Sequence, residues 1–572
     1  MFSQLNALSL QPQNKFNNIN QMTKNETFLG IIEKSIHTNW DIPAMTDFEG
    51  TTFYYKDFAQ EIDKLHAYFK AAGIKKGDKI SLVGRNSARW AITFFATLSY
   101  GAVAVSILHE FDKDSVKYIV NHSDSVMLFS DELIWENLDK EGLPEVKSVF
   151  SLDNFSLLQS SSKEISDFNA NAEAFFADKY KDGLKPTDIY FHNEDPEAVA
   201  ILNYTSGTTS NPKGVMVPYR SVWSNTRFAL DALDFFKPGD GMVCMLPMAH
   251  TYGLTFELLR SIAVGQHIYF LSRVPSPEIL VGMLAKVKPK LVLAVPLIIE
   301  KIIFKRVFPK LKTGAAAFML KVPGLRNIVY KKVRKTLIDV FGGEACQIVV
   351  GGAALNQDVE SFLRKIKFPY SVGYGMTECG PLISYTWWEQ FKQKSVGKVV
   401  DRMQVRIDSN DPINEIGEIQ VTGTNLMLGY YKNEEATKEV MMEDGWLKTG
   451  DLGVVDKDGF IYITGRSKSM FLSASGQNIY PEDIEDKING SPYIAETVVV
   501  ERNGKIVALI LPDADALKAD GIKPDDYFAF FDAWLKELNA SLPAYSRVVS
   551  YEIREEEFAK TPKRSIKRFM YK

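Results

Sequence analysis

The sequence predicts an α/β protein: a large N-terminal domain of parallel-sheet α/β subdomains, a short β-rich subdomain, and a small α+β C-terminal domain. Three observations predict it. From about residue 50 to 300, short apolar runs alternate with longer amphipathic ones, the pattern of parallel sheets covered by helices. From about residue 395 the texture changes to shorter strands with frequent glycine turns, such as GEIQVTG and GFIYITG. At 572 residues, finally, the chain is well beyond one ordinary hydrophobic core, so two or more domains are expected.

Taken in order, residues 1–27 read as a polar N-terminal tail, with low-complexity character confined to the first 25. KISLVG (79–84), AVAVSIL (102–108), VMLFS (126–130), AVAILNY (198–204) and LVLAVP (291–296) read as strands, and 57–72 and 88–100 as helices. A smaller unit follows Gly465-Arg466, with a proline-led helix start at Tyr480-Pro481-Glu482-Asp483. The domain boundaries expected are therefore 28–466 and 467–572, with no internal repeat.

Composition narrows the class. With 45% hydrophobic and 24% charged residues the chain has the make-up of a soluble globular protein. A net charge of −4 argues against a general nucleic-acid binder. Cys244, Cys346 and Cys379 show no metal-ligand spacing and make a disulfide framework unexpected. The N-terminus lacks the apolar core of a signal peptide, and no apolar run reaches the roughly 18–20 residues of a membrane span. A cytoplasmic protein is expected.

The segment 301–335 stands apart, with eleven Lys/Arg and no Asp/Glu among apolar residues. Leu325, Val329, Val333, Leu337 and Phe341 recur every four positions, as one helix face requires. Two readings stand: a surface helix pair with solvated lysines, or a patch drawn peripherally to anionic lipid headgroups.

The most informative stretch is YTSGTTSNPKGVM, residues 204–216. It has almost nothing to bury, but glycine-freed N–H groups, hydroxyls and one ammonium suit a string of phosphate oxygens. It is not the Walker pattern: five residues rather than four separate Gly207 from Lys213, and Gly214 replaces the Ser/Thr that would hold Mg²⁺. Further along come Gly351-Gly-Ala-Ala354, Gly373-Tyr-Gly-Met-Thr-Glu378, Thr449-Gly-Asp-Leu-Gly453 and Gly465-Arg466-Ser-Lys468. In this order, the set resembles the adenylate-forming superfamily of acyl-CoA synthetases, peptide-synthetase adenylation domains and luciferases, from about residue 28 to the C-terminus.

The resemblance implies ATP, Mg²⁺ and CoA as cofactors and a mobile C-terminal domain. It would wrap Thr205, Ser206, Gly207, Thr208 and Thr209 around the β- and γ-phosphates, with Lys213 neutralising charge and Thr205 or Thr208 near Mg²⁺. Tyr374 would stack on adenine, with Gly352 and Ala353 on its other side. Thr377 would bond the α-phosphate, Glu378 would hold Mg²⁺, and Asp451, assisted by Arg466, would take both ribose hydroxyls. His250, in LPMAHTYG, would sit at the mouth of the acyl pocket, with Gly375 also on the acid side; a satisfied core histidine is the other reading of His250. Lys468 would be the hinge of the small domain, or a solvated linker charge, and Ser473–Asn478 would line the thiol's approach.

One departure concerns the tail, Lys560-Thr-Pro-Lys-Arg-Ser-Ile-Lys-Arg568, where Ser565 stands in the column of the family's catalytic lysine. Lys563 and Lys567 flank it at two residues each, and Lys567 is the favoured substitute. The stretch 289–305 and the insert after it resemble long-chain fatty acyl-CoA synthetases, which makes a fatty acid the expected substrate. A medium-chain or aryl acid, a carrier-protein thiol, a non-catalytic lipid-binding homologue and a luciferase-like oxygenase stay open.

Overall fold

The computed structural model describes residues 26–205, 212–271, 277–467, 469–472, 478–502, 504–561 and 566–571. Its largest sheet has seven strands, in the order Leu157–Ser160, Ser148–Ser151, Ser125–Ser130, Lys79–Val83, Val103–Ile107, Val199–Thr205 and Lys213–Pro218. From Ser148–Ser151 to Val199–Thr205 the neighbours run parallel. Both edge strands are antiparallel, so the sheet is mixed rather than wholly parallel. The reason at the second edge is the short connection between Thr205 and Lys213, which can only reverse the chain. Inner strands covered on both faces read as continuous apolar runs; Val103–Ile107 is buried at every position.

The expected helices form at Tyr55–Ala71 and Ala88–Tyr100. Ser87 caps the second by accepting the Trp90 N–H at 3.2 Å, and Gly101 ends it in the left-handed region at φ 89°. A second sheet joins Gly241–Cys244, His267–Phe270, Pro43–Asp47 and Thr52–Tyr54. A third, all parallel, holds Leu291–Ala294, Gln347–Val350 and Tyr370–Val372. The strand expected at 291–296 stops at Ala294, because Pro296 opens the helix Pro296–Ile302.

The glycine-rich part is a four-stranded antiparallel sheet of Met403–Asp408, Gly417–Gly423, Leu447–Val455 and Ile461–Arg466. Beyond it, Ile494–Arg502, Lys505–Pro512 and Ser550–Ile553 form a sheet against the helices Pro481–Asn489 and Tyr527–Ser541. This unit has its own core, in which Ile484, Ile488, Val499, Ala508 and Phe531 meet.

In the basic segment, helix Leu325–Val340 buries Val329 and Leu337, and Phe341 follows at its end, as the four-residue period predicts. Lys305 pairs with Asp513 at 2.9 Å and Arg334 lies over the Trp388 ring. Lys310, Lys312, Lys321, Arg326, Lys331, Lys332 and Lys335 are exposed, alongside Phe318 and Ile328 at 67% and 56% exposure. Among the described residues no helix is long and apolar enough to cross a membrane.

A Cβ at Gly101 would stand 3.3 Å from Lys76 Cγ in a conformation that L side chains rarely adopt. Gly101→Ala is therefore expected to cost about 1–2 kcal/mol. Urea unfolding would show this as a lower midpoint with an unchanged slope.

Candidate functional site

The phosphate-loop candidates begin where the hairpin ends. Thr205 pairs with Lys213 and Tyr204 with Gly214 across its two strands. Ser206, Gly207, Thr208 and Thr209 lie outside the described residues, between these two anchors. The strand carrying Lys213 is stitched to a second segment. Met216 donates to the Gly429 carbonyl at 3.0 Å, Leu428 donates back to the Met216 carbonyl at 2.9 Å, and Tyr431 donates to the Gly214 carbonyl at 2.8 Å. This brings the Tyr430 ring to 5.3 Å from Lys213 Nζ, within cation–π range. The Tyr430 hydroxyl donates to Glu378 Oε1 at 2.8 Å. Lys213 and Glu378, far apart in sequence, thus flank one ring. Burial pushes the Tyr430 hydroxyl well above its ordinary pKa, so it stays a donor to the carboxylate.

Thr377 and Glu378 sit in a single tight turn, Thr377–Cys379, after the short strand Tyr374–Gly375. Thr377 is buried. Gly375 pairs with Leu382, and a Cβ there would run into the Pro381 carbonyl, which is why the position is glycine.

The residues expected on the nucleoside side come from two sheets. Gly351–Ala354 and Tyr374 follow adjacent strands of the parallel sheet, at their carboxyl ends, where open α/β sheets bind ligands. Gly352 and Ala353 are exposed there. Asp451 and Arg466 face each other across strands Leu447–Val455 and Ile461–Arg466. The Tyr374 hydroxyl donates to Asp451 Oδ2 at 2.6 Å, and Arg466 Nε stands 3.0 Å from Oδ1. Asp451 is thereby oriented from both sides, its side chain 7% exposed against 70% for Arg466. Each carboxylate oxygen keeps a further lone pair for an incoming hydroxyl.

On the acid side, His250 heads the helical segment 251–264 and accepts the Tyr252 N–H at Nδ1, 3.2 Å away. The turn before it is pinned almost atom by atom. Asn86 donates to the Leu246 carbonyl at 2.7 Å and accepts the Met248 N–H at 2.9 Å. Asn203 donates to the Ala249 carbonyl at 2.7 Å, and Glu257 Oε2 accepts the Leu246 N–H at 2.9 Å. These three residues were not foreseen. Their signal is a polar residue inside an apolar run: Asn203 in AVAILNY, Glu257 in LTFELL. The helix passes through a π-helical stretch at Leu254–Leu259, and Tyr252 reaches across to the Val349 carbonyl at 3.2 Å.

Lys468, Lys563 and Ser565 lie outside the described residues, as do residues 473–477. Lys567 is placed in the small domain, its N–H donating to the Ala559 carbonyl at 2.8 Å.

A hairpin that presents a lysine, a carboxylate on the same tyrosine ring and an aspartate oriented from both sides are brought together in an α/β fold. The chain belongs to the AMP-binding enzyme family: the family model matches residues 32–431, and that of the AMP-binding enzyme C-terminal domain matches 469–571. It is 27% identical to the long-chain-fatty-acid–CoA ligase FadD15 of Mycobacterium tuberculosis, over 87% of this chain and 86% of that one. Against long-chain-fatty-acid–CoA ligase 1 of Saccharomyces cerevisiae it is 26% identical, over 84% and 74%. In fold it is similar to an anthranilate CoA ligase, AuaEII, in complex with anthranoyl-AMP, with TM-score 0.76, 18% identity and 96% and 98% coverage. A Bacillus subtilis o-succinylbenzoate CoA synthetase in complex with ATP and magnesium follows at TM-score 0.69, 20% identity and 94% and 98% coverage. The class is an AMP-forming acid–thiol ligase that uses ATP, Mg²⁺ and CoA.

Glu257 is fully buried, and the loss of water raises its pKa from the ordinary 4.5 to about 8. The folded state keeps the proton that the unfolded chain releases above 4.5. Stability is thus expected to fall as pH rises from about 4.5 through about 8, by up to about 1.4 kcal/mol per pH unit. Melting temperatures across that range check it: Glu257→Gln should flatten the slope.

Proposed function

We propose that the chain activates a fatty acid, long-chain in the favoured reading, to an acyl-adenylate and transfers it to CoA. The observation that carries the activation step is the convergence of Lys213 and Glu378 on Tyr430 beside the phosphate hairpin. The acid's carboxylate oxygen attacks the α-phosphorus of ATP, the bond to pyrophosphate breaks, and a mixed anhydride with AMP forms. Lys213 neutralises charge that collects on the phosphates, and Thr377 donates to the α-phosphate oxygen. Donors and cations held ready where charge develops lower the barrier, each by a factor on the order of 10²–10³. Mg²⁺, when held by Glu378 and Thr205, supplies further neutralisation of the phosphate oxygens. Asp451 orients the ribose, with Tyr374 and the exposed Gly352–Ala353 edge flanking the base. In the second half-reaction the CoA sulfur attacks the acyl carbon and AMP leaves, after the small domain, residues 467–572, turns about Lys468.

The fatty-acid reading is supported by its relatives and by where the aspartates of the segment 217–233 and just beyond it fall. Long-chain-fatty-acid–CoA ligases match over most of this chain. Asp231, at the end of helix Tyr219–Ala232, is spent on Arg227 in an exposed i,i+4 pair, Nε to Oδ2 at 3.0 Å. Asp231 and Asp234 thus fall late, at a helix end, rather than early in the segment where a peptide-synthetase domain would hold an amino group, which favours an unsubstituted acid over an amino acid. A panel of fatty and aryl acids with ATP, Mg²⁺ and CoA tests the reading. Thioester and AMP with long-chain acids are expected. Preference for aryl acids would move the substrate class, pyrophosphate without thioester would point to a carrier-protein thiol, and neither product would leave a binding homologue.

Lys213→Ala and Glu378→Ala are each expected to lower acid-dependent exchange of pyrophosphate into ATP by about 10²-fold or more, with the fold intact. Undiminished exchange in either variant removes that residue from the nucleotide site.

A cytoplasmic enzyme with peripheral contact to an anionic bilayer completes the proposal. The exposed cations of 301–335, with Phe318 and Ile328 among them, form the surface for it. At about 1 kcal/mol per Lys or Arg near the surface, several together suffice for measurable binding, weakened by salt. Co-sedimentation with anionic vesicles should exceed that with neutral ones at low salt and fall at high salt; equal binding to both leaves only solvated helices.

A further inference from the structure

Arg568, the residue after Lys567, is held by three side-chain hydrogen bonds. Arg568 Nη1 donates to Glu485 Oε1 at 2.6 Å and to the Val499 carbonyl at 2.9 Å, while Nη2 donates to Glu485 Oε2 at 2.6 Å. This is a two-pronged guanidinium–carboxylate pair, the strongest geometry such a pair offers. Glu485 also accepts the Val499 N–H at 2.6 Å, and the Glu482 carboxylate lies 3.8 Å from Arg568. With side chains 23% and 12% exposed, Arg568 and Glu485 are little screened by water. One guanidinium therefore ties the tail to helix Pro481–Asn489 and to strand Ile494–Arg502.

The backbone around Lys567 is closed from the other side as well. Its N–H bonds to Ala559, Lys560 and Ile566 form an antiparallel bridge, and Lys560 Nζ sits 2.6 Å from Glu496 and 2.9 Å from Glu557. Ala559 donates its N–H to the Tyr571 hydroxyl at 2.6 Å. Of these anchors, the Arg568 fork alone is both adjacent to Lys567 and sunk among other elements.

We propose that Arg568 is a positioning residue for acyl-adenylation, setting Lys567 through its fork on Glu485. The proposal rests on the reading in which Lys567 serves that half-reaction. An approach misplaced by 1 Å costs on the order of 10²-fold in rate, and a lysine in place of Arg568 keeps the charge but cannot span both carboxylate oxygens.

The test uses the full-length protein and measures pyrophosphate–ATP exchange separately from thioester formation out of a supplied long-chain acyl-adenylate and CoA. Arg568→Lys is expected to lower the exchange kcat about tenfold or more, with KM for ATP and thioester formation each within about twofold. Glu485→Gln, which keeps the shape, should shift exchange the same way by less. Lys567→Ala/Arg568→Lys should be no worse than Lys567→Ala alone, because one residue acts through the other. If Arg568→Lys depresses both half-reactions alike, or neither, or adds to Lys567→Ala, the proposal falls. Exchange unchanged in Lys567→Ala overturns it too, yet leaves the ligase reading standing while the wild type makes AMP and thioester. A wild type that makes neither takes down both.

Discussion

The nucleotide site depends on one pairing, that of Thr205 with Lys213. A run of hydroxyls and glycines has no apolar surface of its own to bury, so its position must come from what flanks it. Here the flanks are a hairpin whose neighbours Tyr204 and Val215 are buried. Because side chains alternate along a strand, a slip by one residue would turn Lys213 to the opposite face. It would also break the bonds from Gly214 and Met216 to the segment 428–431, and Tyr430 would leave Glu378. Register, hence, decides whether the cation and the carboxylate meet.

The nucleoside end obeys a different constraint. Asp451 is nearly buried, and a buried carboxylate needs partners before any ligand arrives. Tyr374 and Arg466 provide one each, on different oxygens. The arrangement holds the acceptor lone pairs in fixed directions, so little reorganisation is left for binding. It also links Tyr374 to Asp451 across two sheets that share no strand, so the two side chains are positioned together.

What the sequence made legible follows from the same physics. The inner strands announced themselves as apolar runs because both their faces are covered, whereas the run at 291–296 was read through Pro296, which in fact opens a helix. Lys213, Glu378, Tyr374, Asp451 and Arg466 stand in glycine-rich motifs, which survive as local patterns. Tyr430 was not legible, since nothing in NLMLGYYK points to Lys213 or Glu378; only the pairing of that segment with the hairpin brings its ring between them. Asn86, Asn203 and Glu257 were missed for a related reason. Their work is to satisfy peptide groups of the turn 246–250, a debt visible only once that turn is seen to be buried. The antiparallel edges of the main sheet depended on a connection too short to cross over, a property of loop length more than of the strands themselves.

The side-chain bonds that join the small domain to the large one include Lys305 to Asp513, Asn356 to both the carbonyl and the carboxylate of Asp486, and the Gln357 N–H to the same carboxylate. Asn356 meanwhile caps helix Gln357–Lys365 and gives its own N–H to Glu300, so it stays put whether or not Asp486 is present. Bonds of this kind exchange with water at little net cost, since every group that separates is solvated again. Inside the small domain the balance is reversed: Arg568 and Glu485 are withdrawn from water, and parting them would strand a charge. The tail is therefore fastened inside the small domain by a charge pair withdrawn from water, whereas the ion pair from the small domain to the large one, Lys305 with Asp513, leaves its lysine exposed.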